Sequence, residues 1–160
     1  MESIEKRRIA RAYLERLDIF ELEEKALTDR INLFKKKMGP AGYPKSSAIE
    51  GGIGGGRMTT MKEFTHFTNL CGELDDLRAR TVEAELDIIQ KIYNIAIGQY
   101  RSLLLEKYLN KKTVYELSEM YRKFGLDGCS IESVKRLNRQ ALEMFFDANP
   151  EIAKIAVAPI

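Results

Sequence analysis

One stretch of the chain combines side chains suited to nucleic acid with side chains suited to a protein core. Residues Ser130 to Phe146, SIESVKRLNRQALEMFF, are predicted to form a helix capped by the serine oxygen. Its apolar side, meant for burial, is formed by Val134, Leu137, Ala141 and Phe145 and flanked by Ile131 and Leu142. The opposite side gathers Glu132, Ser133, Lys135, Arg136, Arg139, Gln140 and Glu143. These polar side chains have the reach and the hydrogen-bonding groups for base edges and phosphates.

A second amphipathic segment, TVYELSEMYRKF, comes before this helix. Thr113 and Glu116 have the spacing of a capping box, in which each side chain binds the other residue's backbone amide. Apolar residues then recur at helical spacing, namely Val114, Leu117, Tyr121 and Phe124. Glycine accepts the left-handed backbone angles of a sharp reversal, so a turn is expected at Gly125, Asp127 and Gly128. Helix, turn and basic helix in this order predict a helix-turn-helix.

These features carry a resemblance to a known family. The run YRSLLLEKYLNKKTVYELSEMY followed by SIESVKRLNRQALEMFF resembles the C-terminal domain of phage transcriptional regulators of the RinA/ArpU type, which is similar to region 4 of sigma-70 factors. The matching positions are Tyr108-Leu109, Glu116-Leu117-Ser118, Ser130, Val134-Lys135-Arg136-Leu137 and Ala141-Leu142. The match covers about Tyr100 to Phe146, weakens upstream to about residue 60, and differs by the longer turn RKFGLDGC. The resemblance implies a late-gene activator of a bacteriophage or prophage that contacts RNA polymerase.

Two kinds of DNA contact are expected from this C-terminal part. The candidates for base edges are Ser133, Arg136, Arg139 and Gln140, with Glu132 either accepting from a cytosine amino group or orienting Arg136. The candidates for phosphate are Lys111, Lys112, Arg122 and Lys135. The alternative is an ordinary surface helix, in which Glu132 and Arg136 form a solvated i,i+4 ion pair.

Two long helices are predicted ahead of this part. Residues 4–38 carry a heptad seam interrupted only at Glu24, formed by Ala10, Tyr13, Leu17, Phe20, Leu27, Ile31, Phe34 and Met38. The second helix is expected from about Met61 to Ile97, with the stripe Leu70, Leu74, Leu77, Thr81, Ala84, Ile88, Ile92 and Ile95. A further apolar flank needs cover from the C-terminal part and a partner chain: Val82, Leu86, Ile89, Tyr93 and Ala96. The seams therefore predict a homo-oligomer, most simply a homodimer.

The segment predicted to join the two long helices is rich in glycine. Gly39 to Thr60 contains two prolines and seven glycines, which predicts a flexible linker without regular helix. Gly51 to Gly56 superficially resembles a phosphate-binding loop, but Arg57 and Met58 replace the required lysine and hydroxyl residue. Gly98 is expected to act as a bend. The predicted division is a long helix (1–38), the linker (39–60), a second long helix (61–98), a helix-turn-helix domain (99–147) and an apolar tail (148–160).

Composition and charge narrow the class of protein. Charged residues make up 31% of the chain and the formal net charge is only +2, so any basic surface must be local. The charge run EKRRIAR is interpreted as a solvated helix face, with phosphate contact as the alternative. Cys71 and Cys129 lack C-x-x-C spacing, which favours a reducing cytoplasm. The chain has neither the apolar region of a signal peptide nor an apolar run of about 18 residues, so no membrane association is expected.

Catalytic and metal-binding patterns are absent from the sequence. His66 is the only histidine, and together with Cys71 and Cys129 it lacks the ligand number and spacing of a zinc site. Paired acids such as Asp75-Asp76 fall on polar helix faces, where solvated charge is the ordinary state. The sequence therefore predicts a protein that is not an enzyme and needs no cofactor.

The prediction for the whole chain is an all-α protein. Two long coiled-coil-like helices joined by a Gly-rich linker precede a C-terminal helix-turn-helix domain, and the expected function is sequence-specific binding of double-stranded DNA in transcription control. One alternative is a phage small terminase, which also joins a helix-turn-helix to oligomerisation helices but usually places the DNA-binding module first. The other is a coiled-coil adaptor that binds protein partners and no DNA.

Overall fold

The computed structural model describes residues 1–38, 56–125 and 130–155. Every regular element in these ranges is helical, which confirms the all-α prediction. The helices are α1 (Ser3–Met38), α2 (Gly56–Tyr93), α3 (Gly98–Leu104), α4 (Val114–Lys123), α5 (Ile131–Ala148) and α6 (Ile152–Ile155), and a π-helical segment (Leu105–Leu109) continues α3. The π-helical turn was not predicted.

The long helices bury much of the two predicted stripes. In α1 the buried seam positions are Ala10, Tyr13, Leu17 and Ile31, joined by Ile9 and Leu14. In and just after α2 they are Leu70, Leu74, Leu77, Ile88, Ile92 and Ile95. Glu24, which interrupts the seam of α1, accepts a hydrogen bond from Arg78 Nε at 2.8 Å. A charged residue is thus accommodated in the seam because its carboxylate has a cationic partner.

The predicted limits of the second helix and of the linker are wrong. Residues 56–60, assigned to the linker, already belong to α2, and α2 stops at Tyr93 rather than at Ile97. The remainder of the predicted linker, residues 39–55, lies outside the described residues. The bend comes before Gly98, which instead begins α3. Helix α2 can end early because the Asn149 side chain donates to the Lys91 carbonyl at 3.0 Å, satisfying a terminal acceptor.

The chain divides into two compact units, and the division cuts through α1 and α2. Unit 1 combines Met1–Leu17 with the described residues from Glu83 onward, and unit 2 is Asp18–Val82. The predicted domain boundaries instead follow helix ends. Unit 2 has a small core of Ile31, Leu70 and Leu74, against which Leu27, Phe34, Phe67 and Cys71 pack.

A partly buried network of polar side chains links α1 to α2 inside unit 1. The Tyr13 hydroxyl donates to Asp87, and Arg16 Nη2 donates to the same carboxylate at 2.6 Å. Lys91 lies 3.2 Å from Asp87 and 3.2 Å from Glu151. Burial, and then the hydrogen bond to Asp87, raise the pKa of Tyr13 well above its ordinary value. Although burial opposes it, hydrogen bonding to Tyr13, Arg16 and Lys91 lowers the pKa of Asp87, so this network holds an ionised carboxylate.

Asn149 ties the ends of two helices together. It is fully buried and is the C-terminal cap of α5. Its Nδ2 donates to the carbonyls of Phe145 (2.9 Å) and Lys91 (3.0 Å), while its Oδ1 accepts from Asn94 Nδ2 (2.7 Å). Helix α5 therefore extends two residues beyond its predicted end at Phe146. The tail that follows forms α6 and buries Ile152, while residues 156–160 lie outside the described residues.

Candidate nucleic-acid interface

Helix α4 begins with the predicted capping box. The backbone N–H of Glu116 donates to Thr113 Oγ1 at 3.2 Å, and the backbone N–H of Thr113 donates to Glu116 Oε2 at 2.7 Å. This backbone hydrogen bond lowers the pKa of Glu116. The helix buries Leu117 and Tyr121 as predicted. Phe124 was predicted to join them but is 73% exposed, because α4 ends at Lys123 and Phe124 is already its cap.

The turn after α4 has the predicted glycine conformation where it is described. Gly125 has a φ of +63°, in the left-handed region that favours glycine. The other predicted turn residues, Asp127 and Gly128, lie outside the described residues, as does Cys129. On the far side, the Ser130 hydroxyl accepts from the Ser133 N–H at 3.1 Å and so caps α5. Both helix starts are therefore fixed by local hydrogen bonds.

Helix α5 packs against α3 and α4 through one face. Its buried side chains are Val134, Asn138, Ala141, Leu142, Phe145 and Phe146. Two details of the predicted face are wrong: Leu137 is only partly buried, and Ile131 is 44% exposed. The buried face of α5 is rotated by about one residue relative to the predicted face. As a result the polar Asn138 is buried, whereas its neighbour Leu137 is only partly buried. Ile131 stays outside because it lies in the first turn of α5.

The five candidates for base contacts differ in their surroundings. Arg136, Arg139, Gln140 and Glu132 are exposed, whereas Ser133 is half-buried and accepts from the Ser130 hydroxyl at 2.8 Å. Within the described ranges, neither Arg136 nor Arg139 has a carboxylate at ion-pair distance. Gln140 Oε1 accepts a long, 3.4 Å hydrogen bond from the Tyr100 hydroxyl. The two arginines therefore present free guanidinium groups to solvent, while Ser133 is committed to the helix cap.

Glu132 pairs with Lys135 and not with Arg136, the partner expected if α5 were an ordinary surface helix. Lys135 Nζ donates to Glu132 Oε1 at 2.9 Å, so the i,i+3 pair replaces the expected i,i+4 pair with Arg136. The hydrogen bond to Lys135 lowers the pKa of Glu132. Arg136 is thereby left without a carboxylate from its own helix.

The phosphate candidates Lys112, Arg122 and Lys135 each have an acidic neighbour. Lys112 lies 2.6 Å from Glu106, Arg122 lies 2.6 Å from Glu119, and Lys135 pairs with Glu132. Lys111 is exposed and adopts a positive φ of 56°, between the π-helical segment and α4. Ion pairs at the surface contribute only about 0–1 kcal/mol. A phosphate can therefore displace these carboxylates at little cost.

A basic pocket lies beside the exposed face of α5 and was not predicted. It has a volume of about 210 Å³, and its lining residues are Arg11, Lys107, Val114, Lys135, Asn138 and Arg139. Burial, and then the neighbouring Arg11, lower the pKa of Lys107. Arg11 belongs to the charge run EKRRIAR, for which phosphate contact was the alternative interpretation. Two other cations of this run are neutralised, because Lys6 pairs with Asp147 and Arg7 pairs with Glu143. Nothing in the sequence indicated that Lys107 meets Arg11.

Two of the three residues considered for metal binding, His66 and Cys71, lie in the described part of α2. His66 is exposed and its ring lies edge-on to Phe34, with 5.4 Å between centroids, while Cys71 is a partly buried free thiol. In the part of the chain that the structure describes, no three His, Cys, Asp or Glu side chains are grouped to hold a metal ion. None of the helices in the same ranges is long and apolar enough to cross a membrane.

The resemblance to RinA/ArpU-type regulators stays a prediction made from the residues themselves. Comparison with protein-family models, with curated proteins and with solved structures gives no match for this chain.

Proposed function

We propose that this chain is a sequence-specific DNA-binding transcription regulator whose helix α5 enters the major groove. The observation that carries the proposal is the pair of arginines on the exposed face of α5. Arg136 and Arg139 extend from a helix whose opposite face is buried, and in the described ranges neither has a carboxylate at ion-pair distance. An unpaired arginine on a rigid helix can donate two hydrogen bonds to one guanine.

The surroundings of α5 support the same proposal. Helix α4 packs against α5, and the start of each is fixed by a side-chain cap. A helix held in this way keeps its exposed side chains at fixed positions relative to the rest of the domain, and base recognition requires such fixed positions. Together with the resemblance given above, this favours an activator of phage or prophage late genes that contacts RNA polymerase in the cytoplasm of the bacterial host. The proposal contains no catalytic step and no cofactor.

The first test is the effect of Arg136 on sequence preference. If Arg136 contacts a guanine through two hydrogen bonds, Arg136→Ala should cost about 1–3 kcal/mol on the preferred site and relax selection at one base pair. Binding to random duplex should change much less, because phosphate contacts dominate there. The measurement is selection of a preferred site from random duplexes, followed by titration of both proteins on that site and on random DNA.

Lys135→Ala provides the contrast within the same helix. If Lys135 contacts a phosphate, its loss should weaken all sequences alike and reduce the slope of log affinity against log salt by about one unit. If a folded double variant, Arg136→Ala with Arg139→Ala, keeps its site preference, α5 does not contact the bases and the DNA-recognition proposal is wrong. In that case the adaptor alternative would take precedence.

The proposed regulator is a homodimer, and exposed apolar side chains of α2 support this. Leu86 is 61% exposed, Tyr93 is 59% exposed, and Ile89 lies between them on the same helical face. Burying one leucine contributes about 1.5–3 kcal/mol. Leu86→Glu should therefore raise the dissociation constant of the dimer by roughly tenfold or more.

Light scattering across a micromolar dilution series measures this constant directly. Asn69→Glu is the matched control, because it adds the same charge at an exposed polar position of α2. A monomeric mass for the unchanged protein at every concentration would contradict the dimer. An identical shift in both variants would show that charge alone, and not the apolar face, controls association.

A further inference from the structure

The basic pocket joins cationic side chains that are far apart in the sequence. Arg11 comes from α1, Lys107 from the π-helical segment, and Lys135 and Arg139 from α5. Two carboxylates lie at its margin: Glu15 is 4.0 Å from Arg11, and Glu132 is 2.9 Å from Lys135. The Glu132 side chain is largely exposed and that of Glu15 is about half exposed, so water screens both carboxylates. The interior of the pocket is therefore positively charged.

A second observation at the same place is a pair of buried polar atoms without a hydrogen bond of normal geometry. These are the hydroxyl of Tyr108 and Oδ1 of Asn138, whose side chain is 5% exposed and lines the pocket. Burial raises the pKa of Tyr108, whereas the nearby Asn138 and Arg11 side chains act in the opposite direction. Buried polar atoms are normally paired, so the unpaired hydroxyl of Tyr108, which lies next to the pocket residues Asn138 and Arg11, indicates that an acceptor approaches it. The Tyr108 hydroxyl can donate to an oxyanion, whereas Oδ1 of Asn138 only accepts and is satisfied by a donor such as a cationic side chain of the pocket.

The cationic side chains of the pocket also favour a negatively charged ligand. Lys107 is desolvated next to Arg11, and the charge of the nearby Glu15 only partly offsets the unfavourable effect of burial and of the like charge. No carboxylate in the described part of the chain lies at ion-pair distance from Lys107. The volume of about 210 Å³ is below the roughly 300–1,000 Å³ of pockets for drug-sized ligands. Charge, donors and size together fit a single small anionic group.

We infer that this pocket binds a phosphate group, with Lys107 and Arg11 as the central cations and Lys135 at its opening. Phosphate accepts several charge-assisted hydrogen bonds at once, and such bonds are the strong ones. The group comes either from the backbone of DNA bound along α5 or from free phosphate and small phosphate esters. Only the first source rests on the proposed function.

The experiment uses the full chain and two probes, inorganic phosphate and a random-sequence DNA duplex. The variants are Lys107→Gln and Arg11→Gln, and the matched control is Arg30→Gln, which removes one positive charge from an exposed position of unit 2. Thermal stability is measured in phosphate and in chloride at equal ionic strength. DNA affinity is measured at several salt concentrations. Circular dichroism checks folding, and Lys107→Arg retains the charge, so it should keep the binding of the unchanged protein.

The two sources of phosphate give different results. A free phosphate ligand predicts that inorganic phosphate raises the Tm of the unchanged protein and of Arg30→Gln but not of the pocket variants. A DNA phosphate predicts that each pocket variant weakens random-duplex binding by roughly tenfold and lowers the salt slope by about one unit relative to Arg30→Gln. Pocket variants that match Arg30→Gln in both assays would overturn the inference.

The outcomes also separate this inference from the proposed function. Stabilisation by inorganic phosphate in a protein that binds no DNA would support the pocket and reject the DNA-binding proposal. Loss of site preference in Arg136→Ala, with pocket variants equal to the control in both assays, would support the DNA-binding proposal and reject the pocket.

Discussion

Val134→Asp is expected to unfold unit 1. Val134 is completely buried where α5 packs against its neighbouring helices. An aspartate there must either be buried as a charge or take up a proton, and both cost free energy. We expect a loss of about 4 kcal/mol or more in the free energy of unfolding, which is a large part of the roughly 5–15 kcal/mol available to a protein of this kind.

Ile131→Asp is the matched control for this substitution. Ile131 is one turn earlier on α5 and has the same apolar character, but it is 44% exposed and lies near the positive end of the helix. Its replacement should change the free energy of unfolding by no more than about 0.5 kcal/mol. Urea denaturation followed by circular dichroism compares both variants. Equal midpoints for Val134→Asp and the unchanged protein would contradict the packing of α5.

The second large effect is expected for Asn149→Ala. The substitution removes one buried side chain that makes three hydrogen bonds, two of them to carbonyls at the ends of α2 and α5. The Phe145 carbonyl and the Lys91 carbonyl would lose a donor, at about 1–3 kcal/mol for each group that water cannot reach. We expect a total loss of about 3 kcal/mol in the free energy of unfolding.

Asn110→Ala separates this effect from the general loss of an asparagine. Asn110 is exposed and donates to Glu106 Oε2 at 3.1 Å, so its replacement should cost well under about 1 kcal/mol. Thermal and urea denaturation give the difference between the two variants. If both asparagines have the same small effect, the tie between α2 and α5 contributes little to stability.

Features set by nearby residues were predictable from the sequence. The capping box needs only Thr113 and Glu116, the cap of α5 needs Ser130, and the left-handed turn position needs Gly125. Each depends on interactions within a few residues, which the local sequence specifies. The apolar stripes of α1 and α2 were predictable for a similar reason, because helical spacing determines which side chains share a face.

Features set by packing between distant segments were not predictable. Asn138 is buried although it is polar, because it lies on the face of α5 that packs against other helices. Phe124 is exposed although it is aromatic, because α4 ends just before it. The end of α2 at Tyr93 depends on Asn149, more than fifty residues later. The basic pocket likewise needs Arg11 and Lys107 to meet in space. The choice of Arg136 and Arg139 for base contacts remains a prediction that only binding measurements can test.

The division of unit 1 into two separated parts of the chain has a consequence for how the protein is made. Residues 1–17 leave the ribosome before the residues they pack against, which begin at Glu83. Translation proceeds at about 5–20 residues per second, so the apolar side chains of this first segment wait for several seconds without their partners. During that time Tyr13, Leu14 and Leu17 are available to chaperones or to a second nascent chain. Mispairing of these side chains is therefore possible during translation, until the residues from Glu83 onward have been made.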